Sequence, residues 1–192
     1  MRRKQIKHKF NVIYTGSISK SYGSDILLEI AREIKKNKKN YIIYAFDKFD
    51  NSIKHNFLDI VQQEKLPIVI LDRFERSEIF TIMTLGCIGL SLEQNTGNKK
   101  LAIPAKLFEY MSFGIPIIAS NLPNNIQILN MSKSGILVQS SDFMEFYRKI
   151  DFLMNNPTER ETLINNGYSA IENEFNWYNE EQKLLNLYER LL

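Results

Sequence analysis

Cysteine is almost absent from this 192-residue chain, in which Cys87 stands alone. One thiol excludes an intrachain disulfide and a cysteine zinc cluster. Within the apolar run CIGLSL it reads as a small buried side chain. Histidine is nearly as scarce, and His8 and His55 lie too far apart to have metal-ligand spacing. No apolar run approaches the length of a membrane span. The basic start MRRKQIKHKF has no apolar segment behind it, so it does not read as a secretory signal. A large charge of one sign is also lacking, because 25 Lys and Arg against 22 Asp and Glu leave only +3. The basic runs have no interleaved aromatics, which argues against nucleic acid. No linker, repeat or low-complexity stretch interrupts the chain. A cytoplasmic globular protein is therefore expected.

What is present fills one domain. The chain is too short for two full α/β domains, which need roughly 300 residues. Residues 1–10 read as a basic extension and residues 11–192 as the domain. Arg2, Arg3, Lys4, Lys7 and Lys9 could draw the chain weakly to anionic lipid at the inner face of a membrane, or to a diphosphate-linked acceptor. The plainer reading is a frayed terminus. Lys35, Lys36, Lys38 and Lys39 read as a solvated helix end, where cations favour the negative pole of the dipole.

Strand and helix alternate along the chain. Apolar runs at 11–15, 41–46, 67–71, 87–92, 115–119 and 135–138 predict six strands. The intervening helices are expected from 24 or 25 onward, at 52–63, 77–85, 104–113, 123–130 and 143–154, then 158–166 and 168–192. Ser24 or Asp25 is the expected cap of the first, and Asp142 with Glu145 a capping box for 143–154. Strands apolar along their whole length imply a parallel sheet covered on both faces. Right-handed crossovers make this α/β chain a doubly wound, Rossmann-like six-stranded sheet. Ligands of such sheets bind outside the carboxyl ends of the strands. The loop 16–23, residues 72–75 and the loop 93–103 meet that edge.

The central stretch is 104–120, PAKLFEYMSFGIPIIAS. Pro104 suits a helix start and Gly114 the residue past its end. Leu107, Phe108 and Met111 share the core side, and Glu109 points almost the opposite way. A helix start at a strand's end offers free N–H groups and partial positive charge, which suits a phosphate. Glu109, one turn further in, could accept hydrogen bonds from hydroxyls of the same ligand. The plainer reading is an amphipathic helix with a solvated Lys106–Glu109 pair. In the first loop, GSISKSYG, Gly16 would let the backbone approach a ligand. Ser17, Ser19 and Lys20 could contact phosphates or hydroxyls there, or the loop is only a connection.

KLFEYMSFGIPIIAS resembles the signature segment of the group 1 retaining glycosyltransferases, through Lys106, Glu109, Met111, Gly114, Pro116 and Ser120. The likeness extends from Asn11 to the C-terminus, where FNWYNEEQKLLNLYERLL is similar to the family's terminal pattern. It implies the donor-binding half of a GT-B fold, with the acceptor domain absent from this chain or carried by a partner. It implies a nucleotide-diphosphate sugar as donor, no cofactor and no metal. By the same resemblance, Glu109 holds the ribose of a donor used in polysaccharide or glycoconjugate synthesis. The helix start, Lys106 and Lys20 would stabilise the leaving diphosphate.

The family's first glutamate falls at Leu101, where this chain has no carboxylate. Backbone N–H groups at Leu101, Ala102 and Ile103 could serve instead, with Glu93 as a substitute. Where many members have Arg and Lys, this chain has Ser17 and Tyr22, and Lys20 and Arg73 could replace part of that charge. In complete members the last helix crosses back to the acceptor domain. Leu184, Leu185, Tyr188 and Leu191 form its stripe, expected to pack mostly against this domain and to leave a remainder for a partner. The alternatives are a non-catalytic interaction subunit of the same fold and half of a nucleotide-sugar epimerase.

Overall fold

The computed structural model describes residues 11–71, 83, 86–97 and 103–191. The expected extension 1–10, the edge residues 72–75 with Arg73, the helix at 77–85 apart from buried Met83, and Leu101 and Ala102 lie outside them. Six strands form one parallel sheet: β1 (Asn11–Tyr14), β2 (Ile42–Phe46), β3 (Ile68–Leu71), β4 (Ile88–Ser91), β5 (Ile117–Ser120) and β6 (Gly135–Val138). Their order is β3-β2-β1-β4-β5-β6, so the winding reverses between β1 and β4. A crevice for ligands forms outside the strand ends at such a reversal.

The sheet is covered on both faces, as its apolar strands require. On one face lie α1 (Ser24–Lys36), α2 (Asn51–Gln63) and α5 (Phe143–Asn155), packed on Val12, Tyr14, Ile43, Ile88, Leu90 and Ile118. On the other lie α3 (Ala105–Ser112), α4 (Pro123–Ser132) and α6 (Pro157–Asn173), packed on Ile13, Tyr44, Ile117 and Ala119. Val12 and Tyr14 against Ile13 show the strand's two-residue alternation. Lys39 and Tyr41 both reach Asp151, at 2.6 and 2.7 Å, and so fasten the start of β2 to α5. Among the described residues no helix is long and apolar enough to cross a membrane.

Four expectations are corrected. The cap of α1 is neither Ser24 nor Asp25 but Gly23, whose φ of 79° lies in the left-handed region. Ser24 is instead the first helical residue and is buried. The strand expected at 115–119 begins at Ile117, because Ile115 closes α3. Gly114 (φ 63°) donates to Met111 O and Ile115 to Tyr110 O, which together make a Schellman cap. There is no break near Gly167. It lies inside α6, where a Cβ would come 3.3 Å from Met111, so its smallness brings α6 close to α3.

The fourth correction concerns α7 (Trp177–Leu191), which buries no residue. Leu184, Leu185, Tyr188 and Leu191 do not pack on this domain and are 44–72% exposed. The capping box at Asp142 is present, with Asp142 Oδ1 accepting from Glu145 N at 2.8 Å. The α2 cap is Asp50, which accepts from Ser52 N at 3.0 Å.

Tyr110 sets the height of α3 on the sheet. Its ring lies over Gly89 of β4, where a Cβ would stand 2.6 Å from a ring carbon. Its hydroxyl lies 3.3 Å from Ile13 O and 3.2 Å from Leu90 O, and accepts from Thr15 N at 3.2 Å. Gly89→Ala is therefore expected to cost about 1–3 kcal/mol by overpacking. Urea unfolding of the purified variant measures it.

Candidate functional site: a cleft at the sheet reversal

The carboxyl ends of β1, β2, β4 and β5 and the start of α3 enclose a cleft of about 340 Å³. Thr15, Gly16 and Ser17 follow β1, Lys48 follows β2, Glu93 follows β4 and Leu122 follows β5. The opposite wall is Ile103, Pro104, Ala105, Lys106 and Glu109. A larger groove of about 570 Å³ lies between α3, α4 and the α6–α7 junction, lined by Phe108, Ile128, Met131, Phe175 and Trp177. It shares Ile103 with the smaller cleft, and among the described residues the charged groups that follow strands, Lys48 and Glu93, line the smaller one.

Pro104 is the N-cap of α3, and Leu107 N donates to Pro104 O at 3.1 Å. The amides of Ala105 and Lys106 make no hydrogen bond among the described residues, as helix geometry leaves them. Glu109 is exposed and likewise has no partner among them. The free amides and the Glu109 carboxylate thus border one open cleft.

The first loop is held in place by Tyr14. Its hydroxyl is shared between Ser17 O at 2.9 Å and Tyr22 O at 2.8 Å. Burial, then the neighbouring Glu93 charge, pushes the Tyr14 phenol well above its ordinary value, so it stays a donor. Ile18 N donates to Lys48 O at 2.7 Å, which brings Lys48 to the rim. Gly16 and Ser17, both expected at the site, line the cleft. Lys20 is exposed in a short 3-10 turn and is not among the lining residues. Ile103 lines the cleft and is 62% exposed.

Lys106 is not the free cation its sequence position suggests. Its Nζ lies 2.5 Å from Glu93 Oε1, with the two side chains 10% and 5% exposed. The ammonium sits 5.4 Å from the ring centres of both Tyr14 and Tyr22. The two atoms form an ion pair, yet neither makes a hydrogen bond of ordinary geometry. Ser91 Oγ donates to the other Glu93 oxygen at 2.6 Å. Burial opposes ionisation of Glu93, but the Lys106 charge and the Ser91 hydroxyl outweigh it and hold the carboxyl below its usual range. Tyr22 stands where the resembled family often has a basic residue, while Thr15, Lys48 and Leu122 carry no sequence signal for the site. Their only mark is that they follow strands or the first loop. Among the described residues no three His, Cys, Asp or Glu side chains gather as a metal site would.

Comparison with known proteins gives this cleft a context. The family model "Glycosyl transferases group 1" matches residues 101–170, which span the α3–β5 segment and run on into α6. The fold matches the C-terminal domain of a group 1 glycosyltransferase (LpcC) from Francisella tularensis at 20% identity and TM-score 0.77, covering 92% of this chain and 91% of that one. Residues 101–170 are thus similar to the group 1 glycosyltransferases, and the fold around them is the one that such a C-terminal domain adopts. The fold also matches Anabaena HepE, solved with UDP and glucose, at 12% identity and TM-score 0.83, over 98% of this chain and 50% of that one. In sequence it is 24% identical over 175 residues to the capsular polysaccharide biosynthesis glycosyltransferase CapM of Staphylococcus aureus, covering 90% of this chain and 44% of that one. Spore coat protein SA of Bacillus subtilis is 23% identical over 188 residues, 93% of this chain and 48% of that one. The chain thus spans about half the length of the curated relatives it matches.

Because the Glu93 carboxyl is depressed in the folded chain, its contribution to stability is complete above the ordinary glutamate value. It is lost as pH falls through the depressed one. Urea unfolding at pH 7 and pH 3 should show a larger acid loss for the unaltered chain than for Glu93→Gln.

Proposed function

We propose that this chain binds the nucleotide-sugar donor of a retaining, metal-independent glycosyltransferase of polysaccharide or glycoconjugate synthesis. One observation carries the reading. The free amides at the start of α3 and the unpaired Glu109 carboxylate border one open cleft at the sheet reversal. A diphosphate against Ala105 and Lys106 N–H would meet the positive pole of α3, worth about 0.3–1 kcal/mol exposed and up to ~2 when partly buried. Glu109, one turn along, would accept from the ribose hydroxyls. HepE, which shares this fold, is described as a complex with UDP and glucose, and that supports the ligand class.

Transfer breaks the bond between the sugar's anomeric carbon and the diphosphate oxygen. Negative charge then develops on that oxygen. Donors already fixed near it stabilise the charge without reorganising. Lys48 stands at the same rim and adds an exposed cation. Glu109 contributes positioning, which holds the anomeric carbon so that the acceptor oxygen bonds to it on the face that the diphosphate leaves, as retention requires. Activation of the acceptor hydroxyl is assigned to a second domain, supplied by the rest of the protein or by a partner chain. The exposed stripe of α7 supports that assignment, since it offers such a domain an apolar face. The same stripe favours the second reading, a non-catalytic interaction subunit. In that case partner capture would survive loss of Glu109 and no nucleotide would bind.

Calorimetry with UDP, GDP and ADP tests the first reading. One of them should bind, and Glu109→Ala should weaken it roughly 10- to 100-fold, the loss of one or two hydrogen bonds to a charged acceptor. The melting temperature should stay nearly unchanged, because Glu109 is exposed. Binding of none of the three would refute the reading.

A further inference from the structure

Lys106 occupies the first turn of α3, where the helix dipole is already positive. A cation there is unfavourable unless an anion answers it. In the cleft wall that anion is Glu93. Neither Lys106 Nζ nor Glu93 Oε1 is reached by solvent. Gly16 covers the ammonium, since a Cβ at that position would stand 2.8 Å from Nζ. Both residues line the cleft while their paired atoms stay shielded from solvent, the ammonium lying against Gly16, so water and salt screen the two charges weakly. A phosphate at the Ala105 and Lys106 amides would feel both, attracted by the ammonium and repelled by the carboxylate.

We propose that Glu93 is a specificity-determining residue of the donor cleft: by offsetting Lys106 it limits the cleft's preference for a free nucleoside diphosphate over the nucleoside diphosphate sugar. The inference rests on the donor-cleft reading above. Esterification by the sugar removes the second ionisation of the terminal phosphate, whose pKa is about 6. At pH 8 the free diphosphate thus carries about one more negative charge than the sugar ester. The more positive the cleft, the more it favours that extra charge. With Glu93 ionised the pair is nearly neutral and adds little to whatever preference the helix pole and Lys48 give the free diphosphate. With Glu93 neutral, a bare ammonium would retain the product. Glu93 touches no ligand in this scheme and acts through its field alone.

Calorimetry at pH 8 without divalent cations tests the inference. The probes are UDP, GDP and ADP with UDP-glucose, UDP-N-acetylglucosamine, GDP-mannose and ADP-glucose. The quantity read is the affinity for the diphosphate divided by that for its sugar ester. Glu93→Gln should raise it on the order of tenfold. Lys106→Gln should lower it. The double variant Glu93→Gln/Lys106→Gln should return it to within about twofold of the unaltered chain. If only one single variant folds, the sign of its change decides. A ratio that stays constant while both affinities fall together, or one that moves the other way, would overturn the role of Glu93 alone. Failure of the unaltered chain to bind any probe would remove the donor-cleft reading and this inference with it.

Discussion

Everything at the cleft depends on how Tyr110 lies across the two central strands. Its ring fills the space above Gly89, and its hydroxyl meets Ile13, Thr15 and Leu90 where β1 and β4 part. Burial pushes that phenol's ionisation far up, so the contact stays neutral and hydrogen-bonded. A helix fastened there at mid-length has little freedom to slide or tilt. Its amino end therefore stands at a fixed height over the strand ends, and Glu109, the neighbour of Tyr110, points to the cleft as Tyr110 points to the core. One aromatic anchor thus sets both the free amides and the carboxylate that the ligand reading needs.

The second constraint is electrostatic. Glu93 and Lys106 come from opposite walls and meet under the first loop. Burying a pair of charges costs desolvation on both sides, and its mutual attraction often does little more than compensate. The pair is therefore poorly explained as a device for stability alone. Its position explains more, since it joins the end of β4 to the first turn of α3 directly behind Gly16. Tyr14, which holds the same loop through Ser17 and Tyr22, supplies one of the rings beside the ammonium.

Much of this was legible in the chain. Apolar runs buried on two faces announce parallel strands, and Pro104 and Gly114 punctuate α3 because proline and glycine act through backbone geometry. Glu109 was legible because helical spacing alone puts it opposite Leu107 and Met111. The ion pair was not, because its members are thirteen positions apart and no local pattern links them. Lys48 was hidden for a similar reason: only the pairing of Ile18 with Lys48 brings β2's end to the rim. Gly167 misled because a glycine in a helix reads as a stop, whereas here it lets two helices approach. The stripe of α7 misled because amphipathicity shows that a face wants burial without showing what will bury it.

The thin wall at Gly16 also constrains how such a cleft can diverge. Any side chain at position 16 would overlap the Lys106 ammonium and the Tyr14 ring. A larger residue at 16 would therefore have to turn the Lys106 ammonium away from Glu93. The smallness of residue 16 is thus tied to the ion pair: enlarging it would separate Lys106 from Glu93 and leave a carboxylate in the wall without its counter-charge.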